Sequence, residues 1–290
     1  MEKVDFLGIG VQKSASTWLW ANLKEHPDIW MPPRKELHYF DRLLKYPSPS
    51  FLATSSVLKR FISRKEHDSL YRKKLVEEFY QAYKEKNREK ITWLIDYYLK
   101  NCNDRWYQKL FKYGSGYTKG EITPAYSILD IEDIRHIKRL FPEIRILLTL
   151  RNPIERAWSQ VKFYVTRDIH KLSSKNEQAL IDFLNSPRQT MRSDYIKIVN
   201  DWRAVFGDNL HIGYYDEILE NPNLYLKKIY NFLGISSEYG VFLNKRINES
   251  LQLEIPKKIS DFLHKKYDKE ILELYKILRV DYVYGWSKTK

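Results

Sequence analysis

Apolar residues along this chain fall into short compact runs, separated by longer stretches in which they recur every three or four positions. The first run, Val4-Asp-Phe-Leu-Gly-Ile-Gly10, reads as a buried strand that stops at glycine. Residues 14–24 follow as a helix, opened by small hydroxyl residues suited to a helix N-terminus. Ile29-Trp30-Met31 predicts a second short strand, stopped by Pro32-Pro33. Further strands are predicted over residues 92–96, 117–122, 144–150 and 210–215. The run at 144–150 is the clearest, with five of its seven residues apolar, as a strand covered on both faces requires. Helices are predicted over 70–90, 104–113, 131–141, 153–166, 193–206, 222–233 and 256–278. Segments 47–56, 171–175 and 239–253 read as loops.

Strands alternating with helices imply crossover connections and a parallel sheet, and so an α/β fold with helices flanking a central sheet. No internal repeat or low-complexity linker divides the chain. We therefore expect one domain over 1–290, with a helical or looped insertion at about 45–115 that the pattern does not assign.

Composition narrows the class. The chain has 290 residues, 43% of them hydrophobic, with 22 Tyr and 8 Trp, which describes a folded globule and not a disordered chain. Fifty basic residues against 37 acidic ones leave a formal charge of +13, which favours anionic partners. The basic residues are dispersed and form no clustered stripe, which argues against a nucleic-acid-binding module. The lone Cys102 excludes an internal disulfide and thiolate metal clusters. The N-terminal residues form no signal peptide, and no apolar stretch approaches the roughly 18 residues of a membrane span, so a cytoplasmic location is expected.

Two constellations carry candidate chemistry. In Gly8-Ile-Gly10-Val-Gln-Lys13-Ser14-Ala15-Ser16-Thr17-Trp18, a loop follows a strand and opens a helix. Free N–H groups at a helix start, with the helix dipole behind them, attract anions. Lys13 adds a full charge, and Ser14, Ser16 and Thr17 add hydroxyl donors. The alternative is a capped helix with a solvent-facing lysine. The spacing is not that of G-x-x-x-x-G-K-[ST], and no strand ends in an aspartate clearly placed to hold a metal. A phosphoryl donor normally needs Mg²⁺; a sulfuryl group carries less charge, so lysine and backbone dipoles suffice. The second constellation follows the 144–150 strand. Arg151 stands at the strand's carboxyl end, where open α/β sheets bind ligands, and Ser159 lies eight residues on, inside the next helix. A guanidinium fork suits a phosphate. The alternative for Arg151 is a salt bridge with Glu155, and for Ser159 an ordinary helical serine.

Together these motifs resemble the PAPS-dependent sulfotransferase superfamily (PAPS is 3′-phosphoadenosine-5′-phosphosulfate), and more closely its heparan-sulfate-sulfotransferase-like and bacterial branch. Gly10-Val-Gln-Lys-Ser-Ala-Ser-Thr-Trp18 is similar to the 5′-phosphosulfate loop and Leu150-Arg-Asn-Pro-Ile-Glu-Arg-Ala-Trp-Ser159 to the 3′-phosphate motif. Similarity extends to Arg34-Lys-Glu-Leu-His-Tyr-Phe-Asp41, Gly120-Glu-Ile-Thr-Pro-Ala-Tyr126 and Lys245-Arg-Ile-Asn-Glu-Ser250. The resemblance implies a P-loop-NTPase-like three-layer fold and in-line sulfuryl transfer without a metal, from PAPS to an acceptor hydroxyl or amine, with PAP as product. It implies that Gln12, Lys13, Ser14, Ala15, Ser16, Thr17 and Trp18 hold the 5′ end of the donor and Arg151 and Ser159 its 3′-phosphate. Arg246, Asn248 and Ser250 fall in the loop that closes over the nucleotide. Lys13 would stabilise the leaving phosphate.

The resemblance places the general base on Glu36, with His38 as rival, because another branch uses histidine. Glu121 and Tyr126 are expected at the acceptor. Related heparan enzymes carry a lysine where Ile122 stands, so polysaccharide specificity does not carry over. The basic balance favours an acidic acceptor; its identity and the oligomeric state are not legible. The competing function is a small-molecule kinase, which would need the metal-holding aspartate and the Walker lysine that are missing.

Overall fold

The structure, a computed structural model of the chain, describes residues 2–167, 169, 172–173, 176–240 and 253–288. In chain order its elements are β1 (Phe6–Gly10), α1 (Ser16–Lys24), β2 (Ile29–Trp30), α2 (Val57–Ile62), α3 (Glu66–Lys84), α4 (Arg88–Tyr98), α5 (Asp104–Lys109), β3 (Thr118–Ile122), α6 (Ile131–Leu140), β4 (Arg145–Leu150), α7 (Pro153–Thr166), α8 (Glu177–Asn185), α9 (Pro187–Ser193), α10 (Tyr195–Phe206), β5 (Leu210–Tyr214), α11 (Tyr215–Glu220), α12 (Pro222–Leu233), α13 (Lys257–Leu278) and α14 (Asp281–Trp286).

The five strands pair in parallel in the order β2-β3-β1-β4-β5. Strand side chains alternate between faces, and the core follows that alternation. Phe6, Ile122 and Leu147 pack with Trp18, Leu19, Tyr225 and Ile229, on the face covered by α1 and α12. Leu7, Ile9, Ile146 and Leu148 belong to the larger core, with Ile134 of α6, Trp202 of α10 and Leu263 of α13. Helices thus cover both faces, which is why strands β1 and β4 are apolar almost throughout.

β1 lies at the sheet centre, and the chain travels to β2 and β3 on one side before β4 and β5 on the other. The order therefore reverses between β1 and β4, the place where open α/β sheets leave a crevice at the strand ends. The register shifts there, from Gly8 opposite Leu147 to Gly10 opposite Leu148, and Val11 donates to the Thr149 carbonyl at 2.9 Å.

The expected strand at 92–96 is instead part of helix α4. Trp93, Leu94, Tyr97 and Tyr98 are buried, at the three-to-four spacing of one helical face, and a five-residue window was too short to show it. The expected helix at 70–90 is divided, because Lys86 adopts φ +51°, in the left-handed region, and ends α3. Helices α2, α8, α9, α11 and α14 were not anticipated. The 47–56 loop is observed as irregular backbone; most of the 239–253 loop lies outside the described residues.

Candidate active site

Gly10 closes β1 with φ +126°, and a Cβ there would sit 2.5 Å from the Pro124 carbonyl oxygen, so only glycine fits. Lys13 at φ +73° and Ala15 at φ +60° take left-handed backbone within the next five residues. Non-glycine residues pay for this conformation, and it clusters at functional loops. Ala15 is the N-cap of α1 and offers no side-chain cap. The first N–H groups of the helix thus keep their hydrogen-bonding capacity for something else. Ser14 is 2% exposed, and its Oγ has no partner among the described residues.

The Lys13 ammonium rests 4.4 Å from the centroid of the Phe163 ring. Burial, and then the positive charges of Arg167, Arg151, Arg156 and Lys162, lower its pKa to about 8. Arg151, beyond the end of β4, donates from Nη1 to the Lys13 carbonyl at 3.1 Å. It also forms the anticipated pair with Glu155, at 3.2 Å from Nε and 3.0 Å from Nη2, and lies 4.3 Å over the Tyr215 ring. Asn152 caps α7 through the Ile154 N–H, Pro153 takes the first helical position, and Ser159 lies on this helix, 8% exposed. The two constellations, 138 residues apart between Lys13 and Arg151, are hydrogen-bonded neighbours.

The segment after β2 forms the facing wall. Glu36 and His38 both have positive φ, 64° and 54°. Lys35 Nζ donates to Glu36 Oε1 at 3.1 Å and to Thr17 Oγ1 at 2.9 Å, and so joins this segment to the first loop. His38 Nε2 lies 3.4 Å from Glu36 Oε2, and Nδ1 lies 2.8 Å from Oδ2 of the fully buried Asp41. Burial works against the charge on Glu36, but the hydrogen bond to His38 and the Lys35 ammonium outweigh it and hold the carboxyl at about 2. Burial likewise opposes a charged His38, yet Asp41 and then Glu36 raise it to about 9. Near neutral pH Glu36 is therefore a carboxylate and His38 an imidazolium.

A family model described as the sulfotransferase family matches residues 6–239. The chain belongs to the sulfotransferase family. Solved structures share its fold at low identity. A sulfotransferase from Alicyclobacillus acidocaldarius superposes with a TM-score of 0.66 at 19% identity, over 99% of each chain. The sulfotransferase domain from the curacin biosynthetic pathway gives 0.52 at 14% identity, over 92% of this chain and 97% of that one. The corresponding domain of the Synechococcus PCC 7002 olefin synthase gives 0.51 at 15%, over 91% and 96%. No curated protein sequence matches the chain. The central parallel sheet flanked by helices is thus the P-loop-like fold of sulfotransferases, as expected.

Not every expected site residue lies open in this sulfotransferase. Gln12 in the loop and Ser16 and Thr17 at the start of α1 are half-buried, whereas the Trp18 ring packs in the core, 6.2 Å from Tyr225. Glu121 and Tyr126 are 1% and 0% exposed. Glu121 accepts from the Leu37 N–H at 3.1 Å, Thr123 Oγ1 at 2.6 Å, Tyr107 OH at 2.7 Å and Tyr126 OH at 2.9 Å. Burial raises its pKa against these four donors. Tyr126 OH also accepts from the Tyr39 N–H at 3.0 Å. Arg246, Asn248 and Ser250 lie outside the described residues.

In the sequence Lys35 stands out only as an ion-pair partner of the adjoining Glu36, a pair the structure contains; its hydrogen bond to Thr17 is made by the fold. Sequence reasoning missed what segment 45–115 does. Helices of that segment brace residues 34–38: Tyr97 OH donates to the Leu37 carbonyl at 2.9 Å. Arg34 donates to Tyr98 OH at 2.9 Å and pairs with Glu78. A cleft of about 270 Å³ lined by Pro33, Arg34, Lys35, Glu78, Lys90 and Leu94 opens beside it.

Proposed function

We propose that this sulfotransferase moves a sulfuryl group from PAPS to a hydroxyl or amine of an acceptor, leaving PAP. The observation that carries the reading is the hydrogen bond from Arg151 to the Lys13 carbonyl, which makes the two candidate anion-binding elements neighbours. The donor supplies an activated sulfuryl group. The residues present fit it: an unpartnered buried hydroxyl at Ser14, an uncapped helix start and clustered cations answer the charge of a phosphosulfate.

In this reading Ser14 to Thr17 and the start of α1 hold the 5′-phosphate, and Arg151 and Ser159 the 3′-phosphate. The Lys13 ammonium stabilises charge on the departing phosphate oxygen, a role suited to a fixed cation in a water-poor loop. Glu36 accepts the acceptor's proton. It is ionised at neutral pH, while His38 already carries its proton and cannot take another. His38 and Lys35 orient the carboxylate. Glu121 and Tyr126 serve as positioning residues that hold residues 37–39, in place of the acceptor contact expected of them. The whole chain acts as one domain, with 45–115 as a wall of the base side, at work in the cytoplasm. An acceptor with an acidic group suits the basic balance.

The test is titration of adenosine 3′,5′-bisphosphate against adenosine 5′-monophosphate by calorimetry. Wild type should prefer the bisphosphate strongly. Arg151→Ala should cost about 2–5 kcal/mol of that binding, the range for truncating one partner of a buried charge pair, and should erase the preference. Equal binding of the two nucleotides by wild type would refute the reading.

A further inference from the structure

Arg156, one turn into α7, is completely buried. Its Nη2 donates to two neutral oxygens, Gln189 Oε1 at 3.2 Å and Ser193 Oγ at 2.7 Å. Its Nε and Nη1 meet no acceptor in hydrogen-bonding geometry among the described residues, although the neutral Tyr267 hydroxyl lies beside the guanidinium. Arg192, on α9 and 5% exposed, donates from Nη2 to the Pro47 carbonyl at 3.0 Å, and its Nε is likewise without an acceptor. Between them in sequence, Gln189 is 0% exposed, and its Nε2 has no partner either. The neighbouring carboxylate, Glu155, is taken by Arg151 at 3.0 Å, and among the described residues no carboxylate lies within 4.0 Å of Arg156 or Arg192. More positive charge stands nearby: Arg188 donates to Tyr164 OH at 3.0 Å, and Lys266 of α13 is tied to the Leu184 carbonyl at 2.9 Å.

Four N–H-bearing nitrogens on three buried side chains thus lack acceptors in one cationic neighbourhood. A guanidinium removed from water needs both acceptors and opposite charge, and neutral oxygens supply only the first. The strain registers on Arg192, whose pKa burial and then the Arg188 charge lower to about 10. Water would fill the acceptor deficit and leave the charge uncompensated.

We propose that Arg156, Gln189 and Arg192 form a buried site for a small monovalent anion of the halide type, between α7 and α9. An anion there accepts from several N–H groups at once and offsets the two guanidinium charges. The proposal rests on Arg156, Gln189 and Arg192, none of which is given a part in sulfuryl transfer, although α7 also carries Ser159.

Bromide is the probe. Crystals grown in sodium bromide should show an anomalous peak within hydrogen-bonding distance of Arg156 and Arg192. In solution, replacing gluconate by bromide at fixed ionic strength should raise the unfolding temperature saturably, by about 4 °C at a hundredfold excess over Kd. Arg192→Gln should abolish that response, whereas Lys13→Ala, which alters the other anion-binding loop, should retain it. In halide-free buffer Arg192→Gln should be at least as stable as wild type, since it removes an uncompensated charge. Should that variant not fold, Gln189→Ala should weaken the bromide response several-fold. A water in place of the peak, equal unfolding temperatures in bromide and gluconate, or a response that Arg192→Gln keeps would each overturn the proposal.

Discussion

The loop that bears Lys13 and the segment that bears Glu36 face each other, but they handle their polar groups in opposite ways. Around Lys13 the groups are left wanting: Ser14 Oγ has no partner, α1 has no side-chain cap, and the lysine is surrounded by cations. Around Glu36 more of the groups are matched: Lys35, His38 and Asp41 form a chain, and the backbone of residues 37–39 is pinned by Glu121, Tyr97 and Tyr126, although Asp41 Oδ1 has no partner among the described residues. Both regions use left-handed residues, so both are strained. A deficit of acceptors and negative charge is what a loop built to receive an anion shows before the anion arrives. In the proposed function, the bonded network around Glu36 holds the carboxylate in place beforehand, so that little reorganisation is needed during the reaction.

The contrast can be broken most sharply at Glu36. Glu36→Gln keeps the side chain's shape but cannot take a proton. We expect turnover to fall by about 10²- to 10⁴-fold, the usual worth of a positioned acid or base, with calorimetric binding of PAP unchanged. His38→Asn should cost less, because the imidazolium only orients its neighbour. If Glu36→Gln stays active and His38→Asn does not, the assignment reverses.

The Lys13 side is sharpened by pH. A lysine with its pKa near 8 is charged below that value and loses its proton as pH rises through it. The kcat/KM for the donor, which reports the free enzyme, should therefore decline by about tenfold per pH unit above about 8, from that one proton. An unperturbed lysine would carry the plateau to about 10.4. A profile flat to pH 10 would show that burial and the surrounding cations do not lower the Lys13 pKa.

The smallest effect is expected from the scaffold. Tyr126→Phe removes one donor from Glu121 and the acceptor of the Tyr39 N–H. Leaving such groups unpaired costs about 1–3 kcal/mol. Urea denaturation should show a lower midpoint with the same slope, and turnover should drop only as far as residues 37–39 loosen. An unaltered midpoint would mean that the network is not what holds the base segment.

The strand at 144–150 was legible because burial on both faces writes a nearly unbroken apolar run, and Gly10, Lys13, Arg151 and Ser159 were legible because short-range spacing places them on a loop or a helix. Residues 92–96 were misread because Trp93 and Leu94 look alike in a strand and a helix until Tyr97 and Tyr98 complete the face. Glu121 was noticed for its neighbours in sequence, yet its four donors come from residues 2 to 84 positions away.

Local order along the chain was enough to specify most strands, several helix starts and the loops that carry Lys13 and Arg151, because dihedral preferences, glycine freedom and apolar period act over a few residues. Tertiary structure alone decided which of those loops meet and which carboxylate is free to accept a proton. It also decided which arginines are buried with no carboxylate beside them among the described residues. Distances, burial and net charge at a point in space depend on segments far apart in the sequence.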